Sequence, residues 1–196
     1  MNIRKYTDIV RNAFGRGVFP EELAWMLDVP GRGLIMSAQT VADRLPVAPD
    51  ARVLEMGAGS GYYSVEVARK VSRGKLDIVE VQQEMLDKCQ RKLDGAGVTN
   101  YSLHLGDGQS LPFEDSVFDA IYMVTVFGEI DGRGDFLKEA RRVLKPGGTL
   151  SITEHHPDPD FEDAEAMKRE VEPCGFALLQ KLGWRWAYTA NFSVQK

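Results

Sequence analysis

Three glycines, Gly57, Gly59 and Gly61, alternate with other residues in the stretch VLEMGAGSGYYSVEVARKV, which runs from position 53 to position 71. The residues before them favour a β-strand and those after them repeat with helical spacing, so the glycines form a strand-to-helix turn. Such a turn lets the backbone approach a ligand, and the free N–H groups of the following helix favour an anionic group. The alternative is a tight turn that needs glycine only for its positive φ angles.

The spacing of these glycines differs from the dinucleotide-binding fingerprint, G-x-G-x-x-G. The third glycine comes one residue early, and Tyr62 stands where the fingerprint has glycine. Glu55 precedes Gly57 by two residues and places a carboxylate where a pyrophosphate would be repelled. The pattern therefore favours a ligand without a phosphate, and an NAD-dependent oxidoreductase becomes the alternative.

Two further acidic residues stand near the ends of the next two predicted strands. Glu80 is placed to accept hydrogen bonds from both hydroxyls of a ribose, and its charge would reject a 2′-phosphate. Asp107 has a glycine on each side and can accept a hydrogen bond from an exocyclic amine such as that of adenine. Taken singly, each acid also fits a solvated strand end or turn. Together with Glu55, they describe a site for a molecule with a diol and amines and no phosphate.

Two histidines, His155 and His156, follow the fifth predicted strand. An imidazole titrates near neutral pH, so one of them is a candidate general base, and we favour His155 because it is closer to the strand end. The alternative is a solvated loop pair before a helix whose N-cap is Asp160. We predict no metal site from these residues.

The elements that must position these residues alternate along the chain. Runs of β-forming residues occur at 52–56, 76–81, 101–105, 118–126 and 149–153, and helical patterns lie between them. This alternation predicts a doubly wound α/β fold, with a mostly parallel sheet covered on both faces and a ligand site at the carboxyl ends of its strands. Near the end of the chain, apolar residues at even positions from Trp184 to Val194 alternate with mostly polar ones. We predict an antiparallel hairpin there, with its turn at Gly183.

The N-terminal part is predicted to cover the site. Ser37 is a plausible N-cap for a helix that Pro46 ends. Residues 1–33 hold weaker helical pieces broken by glycines and prolines, and we interpret them as a helical lid on the core of residues 34–196 within one domain. Candidate residues for a substrate pocket are Trp25, Met26, Met36, Tyr62 and Phe127, although ordinary core packing is the favoured explanation for each of them.

Composition excludes several classes of protein. The 196 residues carry a formal net charge of −5, and no cluster of lysine and arginine is longer than a pair, so we expect no nucleic-acid partner. Cys89 and Cys174 match no C-x-x-C spacing, which favours inert thiols in a reducing compartment. No apolar run approaches membrane-spanning length, so we expect a soluble cytoplasmic protein, and a homodimer is possible.

Four motifs resemble, in order, those of the class I S-adenosylmethionine-dependent methyltransferases, especially the quinone-biosynthesis and small-molecule branch. They are VLEMGAGSGYYS, IVEVQQEML, GDGQSLPFEDSVFDAIYMVTV and FLKEARRVLKPGGTLSITE, and the resemblance covers residues 50 to about 155. It implies a seven-stranded Rossmann-like sheet of order 3-2-1-4-5-7-6 with strand 7 antiparallel. The cofactor-binding residues that it implies are Glu55, Gly57, Ala58, Gly59, Gly61, Glu80, Val81, Asp107, Gly108 and Thr125.

The same resemblance assigns roles to these residues. Glu55 would anchor the methionyl amino group, often through water, and Glu80 would hold the ribose. Val81 would stack on adenine, Asp107 with Gly108 would bind the adenine edge, and Thr125 would lie near the sulfonium. We therefore expect in-line transfer of a methyl group from S-adenosylmethionine to a small, apolar or aromatic acceptor, without a metal. A regulatory protein that binds S-adenosylmethionine without transferring its methyl group is the non-enzymatic alternative.

Overall fold

A computed structural model describes residues 36–195 of the chain. The predicted lid at residues 1–33, with Trp25 and Met26, lies outside the described residues, so it remains a prediction. None of the helices among the described residues is long and apolar enough to cross a bilayer.

A seven-stranded sheet with the order β3-β2-β1-β4-β5-β7-β6 forms the centre of the fold. Strands β1 to β5 pair in parallel where they are neighbours, whereas β7 pairs antiparallel with both β5 and β6. The strands are β1 (Arg52–Met56), β2 (Lys75–Glu80), β3 (Tyr101–Leu105), β4 (Phe118–Val124), β5 (Leu144–His155), β6 (Phe176–Trp184) and β7 (Ala187–Val194). The doubly wound α/β class and the strand order are confirmed.

Five α-helices in the described part cover the two faces of the sheet. They are α1 (Ala38–Arg44), α2 (Ser64–Lys70), α3 (Gln83–Gly95), α4 (Arg133–Val143) and α5 (Ala164–Val171), and two short 3-10 helices span Phe127–Glu129 and Glu172–Cys174. Alternation along β1 sends Leu54 and Met56 into one core with Phe136 of α4, and Val53 into the other core with Val67 of α2. Each strand of the centre is therefore buried on both faces.

Local capping explains where α1 begins and ends. The Ser37 hydroxyl accepts a hydrogen bond from the Thr40 backbone N–H at 3.0 Å, which confirms the predicted N-cap. At the other end, the Lys70 ammonium donates to the carbonyl oxygens of Ala42 and Leu45 at 2.5 and 2.7 Å. Both carbonyl oxygens also accept a backbone N–H, so this lysine adds a side-chain donor at the C-terminal end of α1 and links α1 to α2.

The predicted turn of the C-terminal hairpin and the predicted N-cap of α5 are both wrong. The hairpin bends at Arg185 and Trp186, and Gly183 lies within β6 instead, with a φ of 97°. The N-cap of α5 is Asp163, whose carboxylate accepts from the backbone N–H groups of Glu165 and Ala166 at 3.0 Å each, and Asp160 lies in the preceding turn. Asp163 is the N-cap because helical geometry begins only after it, so its carboxylate can accept hydrogen bonds from the free N–H groups of the first turn.

Candidate functional site

The glycine turn between β1 and α2 needs glycine for two separate reasons. Gly57, Gly59 and Gly61 have φ angles of 67°, 53° and 79°, in the left-handed region that other residues rarely adopt. A Cβ atom on Gly57 would also lie 2.7 Å from the Val126 side chain, and one on Gly61 would lie 2.8 Å from Cys89 Sγ. The turn therefore needs glycine for its backbone conformation and, at Gly57 and Gly61, for close packing as well.

Glu80 ties the glycine turn to the end of β2. Its Oε2 accepts a hydrogen bond from Gly59 N at 2.9 Å, and its Oε1 accepts from the backbone N–H groups of Val81 and Gln82 at 2.9 and 3.1 Å. The side chain is 6% exposed. Since a carboxylate has about four acceptor positions, one remains for a ligand hydroxyl. Glu80 thus shapes the turn as well as facing the crevice.

Glu55 is a buried carboxyl whose Oε2 has no hydrogen-bond partner in the described part of the chain. The residue is 2% exposed, and burial raises the pKa of its carboxyl to about 7, partly offset by the nearby Ser64 and Tyr122 hydroxyls. The charge of Glu80 raises this pKa further. A carboxyl with such a pKa and with one oxygen lacking a partner is suited to receive a cationic or hydrogen-bond-donating group.

Asp107 and Gly108 lie at the end of β3, beside two exposed apolar residues. Asp107 is exposed, and its Oδ1 accepts from Gln109 N at 3.0 Å, which holds the carboxylate in a short turn. Gly108 is buried, and a Cβ atom there would lie 2.6 Å from Met56 Cε. Val81 and Leu105, at the ends of β2 and β3, are 46% and 60% exposed. The rim of the sheet therefore offers an apolar surface next to a carboxylate.

Thr125 follows β4 with a φ of 52°, which is unusual for a β-branched residue. Its N–H donates to the carbonyl oxygen of Thr153 at 2.8 Å, so β5 holds the strained backbone in place. This conformation ends β4 at Val124, two residues before the predicted end. Strain of this kind, which costs on the order of 1–3 kcal/mol, persists mainly where the surrounding structure and a functional requirement enforce it.

Strand register brings these residues to one edge of the sheet. Glu55 pairs with Ile78, Glu80 pairs with Leu105, and Val124 pairs with Thr153. The residues that follow β1, β2, β3 and β4 consequently lie side by side at the carboxyl ends of the parallel strands. Between β1 and β4 the order of the strands reverses, which is where open α/β sheets bind their ligands.

The two histidines lie in different surroundings. His155 ends β5 and is 7% exposed, its Nε2 lies 3.4 Å from the Tyr63 hydroxyl, and its Nδ1 lies 3.2 Å from the carbonyl oxygen of His156. His156 packs against Phe161 and Trp186 with ring centroids 4.2 and 4.9 Å apart. Tyr63 therefore connects His155 to the glycine turn, whereas His156 belongs to an aromatic cluster.

Sequence reasoning missed Tyr63 and chose its neighbour Tyr62. Tyr62 and Tyr63 follow Gly61 in that order, and the start of α2 directs Tyr63 toward His155 of β5: Tyr63 is 4% exposed and Tyr62 is half-buried. Of the other pocket candidates, Met36 and Phe127 are core residues, 2% and 0% exposed. Tyr62 is the described pocket candidate that retains an accessible surface.

Glu154 is a second acid that the sequence did not single out. It is 1% exposed, and its Oε1 has no hydrogen-bond partner among residues 36–195. Burial raises the pKa of this carboxyl well above its usual value, and the charges of Asp158, Glu162 and Glu129 raise it further. Alternation along β5 places Glu154 on the opposite face of the sheet from His155.

Comparison with known proteins identifies the family. Residues 53–148 match a family model described as a methyltransferase domain. The chain belongs to the class I S-adenosylmethionine-dependent methyltransferases. The match spans β1 to the beginning of β5, which is the part of the chain that carries the glycine turn, Glu80 and Asp107.

The sequence matches between this chain and its curated relatives cover only part of the length of those relatives. The chain is 28% identical over 137 residues to the ubiquinone/menaquinone biosynthesis C-methyltransferase UbiE of Shewanella frigidimarina, which covers 69% of this methyltransferase and 53% of that protein. It is 30% identical over 122 residues to the biotin biosynthesis bifunctional protein BioHC of Teredinibacter turnerae, covering 59% and 21% of the two chains. The chain thus spans about half, or less, of these curated relatives.

Solved structures share the fold. A S-adenosylmethionine-dependent methyltransferase from Aquifex aeolicus superposes with a TM-score of 0.84 at 22% identity, over 90% of this chain and all of that one. The [4+2]-cyclase SpnF superposes with a TM-score of 0.70 at 20% identity, over 81% and 79%. At these identities the likeness shows the fold, and the cyclase illustrates that the fold alone does not fix the reaction.

Proposed function

We propose that this methyltransferase transfers the methyl group of S-adenosylmethionine to a small, apolar or aromatic molecule. The observation that carries the proposal is the meeting of Glu55, the glycine turn, Glu80 and Asp107 at the carboxyl ends of three neighbouring strands, β1, β2 and β3. The Glu55 Oε2, which has no hydrogen-bond partner among the described residues, fits an ammonium group of the ligand.

Each residue of the site has one task in binding. Glu55 would receive the methionyl amino group, Glu80 would accept a hydrogen bond from the ribose diol, and Asp107 would accept one from the adenine amine. Val81 offers an exposed apolar surface for the face of the adenine ring. Thr125, held in its strained conformation by β5, would lie beside the sulfonium.

S-adenosylmethionine supplies, when bound, a methyl group that is already activated by the positive sulfur. What the chain must contribute is alignment of the acceptor with that methyl group and exclusion of water, which can lower a barrier by roughly 7–11 kcal/mol. His155 is proposed to hold or remove a proton of the acceptor. If its Nδ1–H donates to the carbonyl oxygen of His156, its Nε2 is free of a proton and faces the Tyr63 hydroxyl.

The experiment that tests the proposal is transfer of a labelled methyl group from S-adenosylmethionine to small molecules. Precursors of quinones are the first acceptors to try, since the UbiE relative is a ubiquinone/menaquinone biosynthesis C-methyltransferase. Label in a small-molecule product supports the proposal. Label in protein or nucleic acid alone, with none in any small molecule, would contradict it.

The role of His155 has its own test, with His156 as the matched control. His155→Ala should lower turnover about 10²–10⁴-fold and remove a rise of the rate with pH through the imidazole pKa, whereas His156→Ala should keep that profile. Cofactor affinity should be unchanged in both variants. If both keep wild-type rates and profiles, catalysis rests on positioning alone.

A further inference from the structure

The loop between β3 and β4, residues 106–117, carries Asp107 and Gly108 but contains no regular helix or strand. A loop of this length has no backbone ladder of its own to fix the direction of a carboxylate. Apart from the hydrogen bond that Asp107 Oδ1 accepts from Gln109 N, contacts from outside the loop must therefore fix Asp107 if it is to recognise one edge of a base. Helix α4 contacts this loop near both of the helix ends.

Arg142, in the last turn of α4, binds three residues of the loop through one guanidinium. Its Nη1 donates to the carbonyl oxygen of Phe113 and to Asp115 Oδ1, both at 2.8 Å, and its Nη2 donates to the carbonyl oxygen of Leu111 at 3.1 Å. The backbone carbonyl of Arg142 also accepts from Ser116 N at 2.9 Å. The planar fork of donors in arginine suits several acceptors in a fixed arrangement, which a lysine cannot reproduce.

Glu139 fixes this guanidinium from one turn earlier in α4. Its Oε1 accepts from Arg142 Nε and its Oε2 from Arg142 Nη2, both at 2.7 Å, so the pair is bidentate. The same Oε2 accepts from Leu111 N at 2.9 Å. Glu139 and Arg142 together thus satisfy both the N–H and the C=O of Leu111, four residues after Asp107.

The other end of α4 holds the loop next to Asp107 itself. Gln109 Nε2 donates to the carbonyl oxygen of Asp131, just before α4, at 3.1 Å, and Gln109 N donates to Asp107 Oδ1. A Cβ on Gly108 would lie 3.4 Å from the Phe136 ring of α4, so the loop backbone rests against that helix. The hydrogen bonds at Gln109 and Leu111 therefore fix the loop two and four residues after Asp107.

We propose that the Glu139–Arg142 pair is a positioning device that aims Asp107 at the exocyclic amine of adenine, and so determines which base of the cofactor the site accepts. The inference rests on the proposed function, because it assumes that Asp107 meets the adenine of S-adenosylmethionine. Neither Glu139 nor Arg142 touches the cofactor: they act through the loop that they hold.

The test compares two ligands that differ at the base. S-Adenosylhomocysteine carries the exocyclic amine, whereas its purine-riboside analogue has a hydrogen atom in place of the amine and keeps N1 unprotonated, so it offers Asp107 no donor. A hydrogen bond to a charged group contributes about 1.5–3 kcal/mol, so the wild-type chain should prefer the adenosyl ligand by roughly 10- to 150-fold in calorimetric titration. Arg142→Ala and Glu139→Gln should reduce that preference by about tenfold or more.

Arg141 supplies the matched control. It neighbours Arg142 on α4, is exposed, and donates to the carbonyl oxygen of Gln195 at 3.2 Å, away from the loop. Arg141→Ala should keep the wild-type preference between the two ligands. If Arg142→Ala melts below the temperature of the titration, Arg142→Lys and Glu139→Gln carry the test, because both keep a polar side chain at the same place.

The outcomes separate this inference from the proposed function. Variants at Arg142 and Glu139 that lose affinity for both ligands equally, or not at all, would show that the pair only stabilises the fold, and the inference would be wrong. A wild-type chain that binds both ligands equally would also overturn it, since Asp107 would not be reading the amine. A wild-type chain that binds neither ligand would instead overturn the proposed function.

Discussion

Glu55 makes cofactor binding depend on pH. Because burial raises the pKa of its carboxyl to about 7, the Glu55 carboxyl is largely protonated below that pH when no ligand is bound. An ammonium group placed beside it favours the ionised form, so binding should release up to one proton, and affinity should rise as the pH increases toward 7. Calorimetry of S-adenosylhomocysteine at pH 6 in buffers of different ionisation enthalpy measures that proton.

Two controls accompany this prediction. 5′-Methylthioadenosine lacks the amino-acid end of the cofactor and should bind without releasing the proton. Glu55→Gln should bind S-adenosylhomocysteine more weakly and also without proton release. Equal proton release by wild type and Glu55→Gln would show that another group titrates on binding.

Thr125 gives a prediction about strain. Thr125→Gly removes both the side chain and the steric penalty of a φ of 52°, whereas Thr125→Ala removes most of the side chain and keeps much of that penalty. The glycine variant should therefore melt at a higher temperature than the alanine variant, by an amount equivalent to about 1 kcal/mol. Thermal unfolding followed by circular dichroism compares the two. A glycine variant that melts lower would mean that the positive φ carries no strain here.

The positions of candidate site residues at the strand ends were predictable from the sequence, whereas their roles stay predictions. Glu80 and Asp107 were found this way, because parallel strands bring their carboxyl ends to one edge. The three hydrogen bonds that Glu80 accepts from backbone N–H groups could not be predicted, since they depend on the register of β1 against β2. The sequence did not single out Glu154, because the alternation of side chains along β5 places it at a core position, where a carboxyl is unexpected.

Periodicity predicted where the strands and helices lie in the sequence, but it did not predict the residues at which they end. The end of β4 at Val124 depends on the left-handed Thr125, which no preference of a β-branched residue indicates. The bend at Arg185 and Trp186 lacks glycine, proline and asparagine, so Gly183 was the better signal from the sequence alone. Tertiary contacts decide both places.

The predicted lid is an element that deletion can test. Removing residues 1–30 should leave a core that melts cooperatively and binds S-adenosylhomocysteine but turns over an acceptor poorly, because a lid contributes to alignment and to exclusion of water. Circular dichroism and a turnover assay on the truncated chain measure the two properties. Loss of cooperative melting would show that these residues belong to the core.

For the whole molecule, Glu154 makes stability depend on pH. Its pKa is raised in the folded state by burial and by Asp158, Glu162 and Glu129, while the opposing charge of Arg133 lowers it. The folded chain therefore holds a proton that the unfolded chain releases above the ordinary glutamate pKa, so stability falls as the pH rises from about 4.5 toward the raised value.

Glu154→Gln keeps the shape and removes this titration. It should melt higher than wild type at pH 8, with a difference that shrinks toward pH 5, and each kcal/mol corresponds to about 2–4 °C for a domain of this size. Melting curves of both chains at several pH values, read as cooperative transitions, give the comparison. A difference that does not change with pH would assign the effect to packing.

The central claim, that this edge of the sheet binds S-adenosylmethionine through Glu80 and its neighbours, is tested most directly by calorimetric titration of the full chain. S-Adenosylhomocysteine should bind at one site per chain, NAD should not bind, and Glu80→Gln should weaken binding of S-adenosylhomocysteine by roughly 10- to 150-fold, the loss of a charge-assisted hydrogen bond. Absence of S-adenosylhomocysteine binding, or an equal dissociation constant for wild type and Glu80→Gln, would contradict the account.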